Sequence, residues 1–229
     1  MNKEIYQLFV EKTEEKSLCM LILQAIKQFG QEATFNSIRE FYLQEDIDIY
    51  QELTKPKLLE EGYRNEFFLL RDIVKELVPF TKIKHINSLL NCLNFYLFNC
   101  SPGELTLSFV LDNLSEWLNK NPEALNASLN VLENNKQINF HCLIIEKIFS
   151  SLCYVDLNEG KERIFAFLER TREHELVGAI GALTSLTGYD NEIIQKMQSL
   201  LQQSSSNWVI TNIVLILLRL CKRNVALIK

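Results

Sequence analysis

The sequence predicts an all-α protein, a stack of antiparallel helix pairs, and three observations carry that expectation. Apolar residues recur at helical spacing along almost all of the 229 residues. Seven glycines and four prolines leave few places where a helix must break. Alternating runs such as IDIY are too short and too polar to seed a sheet. With 47% apolar residues the chain can bury a continuous core as one helical domain over 1–229, stepping from an irregular helical half (1–100) to a repetitive half (101–229).

The elements follow in order. Leu18, Leu21, Ile22, Ala25, Ile26 and Phe29 form one stripe of a helix that Gly30 stops. Phe35, Ile38, Phe41 and Tyr42 mark a second helix over 31–43. The acidic stretch QEDIDIYQEL leads into a short helix ended near Pro56, and helices over 63–78 and 82–99 flank Pro79. Ser101 and Glu104 spell a capping box with Pro102 at the first helical position. The helix it opens carries Leu107, Val110, Leu111, Leu114, Trp117 and Leu118 on one face. Asn121-Pro122 repeats the start signal for a helix with Leu125, Leu129 and Leu132. Helical patterns at 138–154, 161–170, 174–187, 191–203 and 207–223 complete a set of about ten or eleven helices.

An internal repeat runs through the second half. Ser150 to Asp156 (SSLCYVD) matches Thr184 to Asp190 (TSLTGYD) at an offset of 34, each closing an apolar helix ahead of a charged one. The charged helices share a pattern, Ile164, Phe165, Leu168 and Ile193, Ile194, Met197. Val209, Leu215 and Leu218 then fall 32 residues after Val177, Leu183 and Leu186. On these residues the chain resembles HEAT and armadillo-type helical repeats, most clearly over 138–229. The resemblance implies a curved stack with a concave binding surface and names no ligand.

Charge and local chemistry bound the function. A net charge of −5 and a pI near 5.4 argue against a protein whose main work is neutralising phosphates. The opening MNKEIYQLFVEKTEEK is polar and amphipathic rather than signal-like, so a cytosolic protein is expected. The most apolar run, Trp208 to Cys221, contains Asn212 and Arg219 and falls short of the roughly 20 residues of a membrane span; it reads as a buried core helix. Sequons at Asn99, Asn113 and Asn126 carry no meaning without a secretory signal.

The segment LVGAIGALTSLTG (176–188) lacks the lysine and preceding strand of a phosphate loop. Its glycines read instead as packing devices: Gly178 and Gly181 thin a helix, and Gly188 caps it. His85, His141 and His174 have no second ligand at i+3 or i+4, although His141 adjoins Cys142, so they read as surface or boundary residues. Six cysteines without a CxxC pair read as small hydrophobes. No metal, cofactor or catalytic constellation is expected. Trp117 and Trp208, in phase with leucines, read as core, and Arg219, Lys222 and Arg223 as a cationic helix end. The densest charge is acidic: Glu45, Asp46, Asp48, Glu52, Glu60 and Glu61. It suits either a solvated helix start or a patch that meets a basic partner.

The expected function is a non-enzymatic protein-binding module. Being small, acidic and free of motifs, the chain is similar as a class to bacterial immunity proteins. That similarity implies a cytosolic inhibitor whose carboxylates imitate the phosphates in a nuclease-like toxin's substrate site. Two alternatives stand beside it. HEAT-like glycosylases that excise alkylated bases are close in length and use tryptophan and aspartate, but this chain lacks their basic surplus. A regulatory adaptor or scaffold is the other.

Overall fold

The helix punctuation at Gly30, Pro79 and Asn121-Pro122 reappears in the computed structural model, which describes residues 2–10, 17–45, 47–54, 64–100, 106–135 and 137–228. The Ser101–Glu104 capping box and the stop near Pro56 lie outside the described residues. Among these residues every regular element is helical, with thirteen α-helices and no strand. No helix among them is long and apolar enough to cross a membrane. The chain divides into two compact units, 1–114 and 115–229, with the boundary inside a helix rather than at the step after residue 100.

The first unit holds α1 (Lys3–Val10), α2 (Leu18–Phe29), α3 (Gln31–Gln44), α4 (Ile49–Glu52), α5 (Arg64–Leu77), α6 (Ile86–Asn99) and the start of α7 (Thr106–Lys120). The polar, amphipathic N-terminal segment forms α1, burying Ile5 and Phe9. Gly30 separates α2 from α3 with φ 86°, a conformation that glycine adopts without steric cost, and its N–H donates to the Ile26 carbonyl. The three mutually packed helices α1 to α3 receive α5 on α2 and α3, while α4 lies on α6. Buried hydroxyls are paired here: Tyr42 with His85 Nδ1 at 3.0 Å, Tyr50 with Thr81, and Tyr96 donating to the Leu53 carbonyl at 3.0 Å. His85 is therefore buried rather than a surface or boundary residue, because a tyrosine supplies its polar partner.

The second unit holds the end of α7, α8 (Pro122–Asn134), α9 (Cys142–Val155), α10 (Leu157–Phe167), α11 (Glu173–Ala182), a 3-10 turn (Leu183–Ser185), α12 (Asp190–Gln203) and α13 (Asn207–Ile228). Two starts move for visible reasons. Asp156 accepts from the amides of Asn158 and Glu159 at 3.0 Å, so α10 begins earlier than its apolar pattern suggests. Residues 138–141 lie outside the helix, and His141, with an extended backbone, caps α9 by accepting from the Leu143 amide at 3.3 Å. Asn121 precedes Pro122 as expected, but its side chain turns back to the Trp117 carbonyl at 2.7 Å.

Between α9 and α13 lies α11, packed most extensively on α9. Gly178 makes this possible: a Cβ there would stand 2.6 Å from Ile145 Cβ and 2.7 Å from the Cys142 carbonyl oxygen. A Cβ on Gly160 of α10 would stand 2.6 Å from Cys153 Sγ and 3.0 Å from the Cys153 backbone. Gly181 differs from its expected role, since a Cβ there would meet only the Glu146 side chain, a flexible neighbour rather than a backbone. Gly188 bends the chain ahead of α12 at φ 84°. Polar contacts link elements that are not neighbours in sequence, Arg163–Glu133 at 2.6 Å (α10 to α8), Lys161–Glu192 at 3.1 Å (α10 to α12) and Ser185–Ser150 at 3.0 Å (the 3-10 turn to α9), while Arg223–Asp190 joins α13 to α12. Exposed pairs of this kind each contribute about 0–1 kcal/mol, so apolar burial carries the unit and the pairs fix its register.

Candidate functional site

The starts of α9, α11 and α13 bring three rings into a row. His141 is the residue before α9, His174 the second residue of α11 and Trp208 the second residue of α13. The ring centroids of His141 and His174 are 5.3 Å apart, and those of His174 and Trp208 are 4.8 Å apart and edge-to-face. Arg172 holds the approach to α9 beside the start of α11 by donating to the Ile138 carbonyl at 3.1 Å.

Cys142, the first residue of α9, lies buried beside this row, with Sγ 3.8 Å from His141 Nδ1. One donor atom from each of His141, Cys142 and His174 can be chosen so that all lie within 4.8 Å of one another. Burial, helped by the neighbouring imidazole of His174, holds the His141 pKa down to about 4, and burial lowers that of His174 as well. Helix N-termini disfavour imidazolium in the same sense. Burial and then the Glu146 charge push the Cys142 thiol up to about 11. At neutral pH the cluster is thus two neutral imidazoles and a thiol, a donor set able to hold a thiophilic cation once the thiol proton leaves.

No local motif announces this group, because His174 stands more than thirty positions from the adjacent pair His141 and Cys142. The signal that could have found it is the repeat itself: 141, 174 and 208 are one repeat length apart and each opens an apolar helix.

Trp208 departs from expectation. It is 37% exposed, while Trp117 is buried. The buried stripe of α13 is Val209, Ile213, Ile216 and Leu220, and Trp208 falls off it. So do Val214, Leu215 and Leu218, which are 43%, 46% and 53% exposed. The apolar run 208–221 is therefore a helix buried on one face only. Arg219, Cys221 and Lys222 are exposed near the end of the other face, and no acidic residue occurs anywhere in α13.

The acidic cluster is only partly described: Asp46, Glu60 and Glu61 lie outside the described residues. Half-buried Glu45 accepts from the Tyr6 hydroxyl, and its carbonyl takes a hydrogen bond from Lys82 Nζ at 2.9 Å. Asp48 accepts from the Gln51 side chain at 3.1 Å, and Glu52 ends α4. Cys19, Cys92 and Cys153 are buried in the manner of small hydrophobes.

Glu146 supplies a pH test. Burial raises its carboxyl pKa above 4.5, against the pull of Lys147 and Arg219. A carboxyl raised in the fold contributes stability that is present below 4.5 and lost as pH rises through its folded value. Glu146→Gln avoids that loss, so its advantage over the wild type is expected to grow between acidic and neutral pH by less than about 1 kcal/mol. Melting curves at both pH values check this; an advantage that does not change with pH contradicts it.

No family model, curated protein sequence or solved structure matches the chain.

Proposed function

We propose that the protein is a non-enzymatic module that binds another protein, built as a short α-solenoid in which α13 presents the docking face. The observation that carries this reading is the exposure of Leu215 and Leu218. They stand one repeat after Leu183 and Leu186, which are fully buried. In a stack of repeats each unit covers the apolar face of the one before it, so the outer face of α13 is the surface a next unit would cover. Burying two half-exposed leucines contributes about 1 kcal/mol each, enough to make such a contact a hot spot.

The rim chooses the occupant. Arg219 and Lys222 border this face, α13 offers no carboxylate, and the Glu146 carboxyl that feels Arg219 is itself raised by burial, so the partner is a helical segment of another protein with an apolar stripe and an acidic border. A second copy packed on the same face would bring no acidic residue from its own α13 to these cations. The inhibitor form of the reading, with the carboxylates of 45–61 blocking a basic toxin, rests on the acidic charge and the class similarity. Salt separates the two, since a carboxylate contact weakens steeply with ionic strength and an apolar contact does not.

Capture from native extract with wild type and Leu218→Glu as baits tests the reading. The wild type is expected to retain one protein in high salt, and Leu218→Glu to lose it while melting at the same temperature. Equal retention by both baits contradicts the assignment to α13, and a wild-type dimer that Leu218→Glu converts to monomer replaces the partner with a second copy.

A further inference from the structure

We propose that His141, Cys142 and His174 form a binding site for one zinc ion that ties the start of α9 to the start of α11. Two imidazoles and a thiolate are a donor set suited to zinc, and three protein ligands leave the fourth tetrahedral position to water. Zinc bonds of about 2.0–2.3 Å place the donors of a tetrahedral site roughly 3.3–3.7 Å apart. The present spread of 4.8 Å therefore closes by about 1 Å on binding. Half-buried His141 and His174 can make that adjustment by side-chain rotation, without moving either helix axis.

The proton balance is simple. Cys142 gives its thiol proton to solvent and binds as thiolate, while each histidine binds as neutral imidazole. His141 Nδ1, the nitrogen 3.8 Å from Sγ, then gives up its 3.3 Å bond from the Leu143 amide. A long hydrogen bond of that kind is worth little against a zinc–nitrogen bond. Arg172, bound to the Ile138 carbonyl, keeps the two helix starts side by side before the ion arrives, which reduces the ordering that binding must impose. Binding also adds directly to the stability of the α9–α11 contact, because the ligands are held together only when these helices are packed.

Row formation by three rings needs no ion, so the test must see the sulfur. Chelator-treated full-length protein is titrated with zinc by calorimetry and with cobalt(II) by absorption. One ion per chain is expected, with a thiolate-to-cobalt charge-transfer band, quenching of Trp208 fluorescence in a Trp117→Phe background, and a rise in melting temperature with zinc. Cys142→Ala and His174→Gln are each expected to weaken binding by more than about 100-fold, whereas Cys153→Ala keeps wild-type affinity. Cys142→Ala exchanges one small buried side chain for another, and a cooperative apo melting transition is expected to report that it folds. No binding, a cobalt complex without the thiolate band, or wild-type affinity in Cys142→Ala overturns the site.

Discussion

Gly178→Ala is expected to destabilise residues 115–229 by about 2 kcal/mol and to lower their melting temperature by about 10 °C. The added methyl would stand 2.6 Å from Ile145 Cβ and 2.7 Å from the Cys142 carbonyl oxygen, and neither can move without moving α9. Forcing the helices apart costs about 3 kcal/mol, and the better helix propensity of alanine returns about 1 kcal/mol. Gly181→Ala is the control, since only the Glu146 side chain has to swing aside. It is expected to be neutral or stabilising by up to about 1 kcal/mol. Thermal melts followed by circular dichroism check both. Equal losses from the two substitutions would contradict the close approach at Gly178.

Phe149→Ala is expected to have the larger effect, about 4 kcal/mol. Phe149 is fully buried on α9 and meets Phe167 of α10 edge-to-face at 4.7 Å. Removing the ring leaves a cavity between two helices that no neighbouring side chain can fill without abandoning its own contacts. Because 1–114 and 115–229 are separate compact units, the loss is expected to appear in one of them. Calorimetry is expected to show a low-temperature transition for the second unit beside a higher one for the first. A single transition displaced as a whole would contradict independent cores.

Helix existence was legible because it rests on local signals. The helix over 18–29 and its stop at Gly30 reappear in α2, which buries Leu18, Leu21, Ile22 and Ala25 of the expected stripe together with Cys19 and Leu23 and leaves Ile26 and Phe29 half-buried. The two segments SSLCYVD and TSLTGYD also meet in the fold, where Ser185 is hydrogen-bonded to Ser150 at 3.0 Å. What sequence could not supply is which neighbour each face meets. Gly178 and Gly181 look alike in the chain, yet one faces a backbone and the other a flexible carboxylate. Leu183 and Leu215 occupy matching positions in the sequence pattern, yet one is buried and the other is 46% exposed. His141, Cys142 and His174 carry no local motif, and only packing of α11 on α9 brings their donor atoms together. Of the acidic residues, Glu45 is tied to Tyr6 and Lys82 by contacts across more than thirty residues that a charge count cannot foresee.

The central claim, that another protein docks on the outer face of α13, is tested most directly by photo-crosslinking from Cys221. This thiol is exposed one turn beyond Leu218, while Cys19, Cys92, Cys142 and Cys153 are buried, so in a Cys100→Ser background a maleimide probe reaches it selectively. The control probe sits at residue 154 of α9, in a Tyr154→Cys, Cys221→Ser chain, where the native side chain is 76% exposed. Irradiation in native extract is expected to give one adduct of this chain with one other protein, formed from residue 221, not from residue 154, and lost in Leu218→Glu. An adduct formed equally from both positions, or unchanged in Leu218→Glu, would contradict the claim.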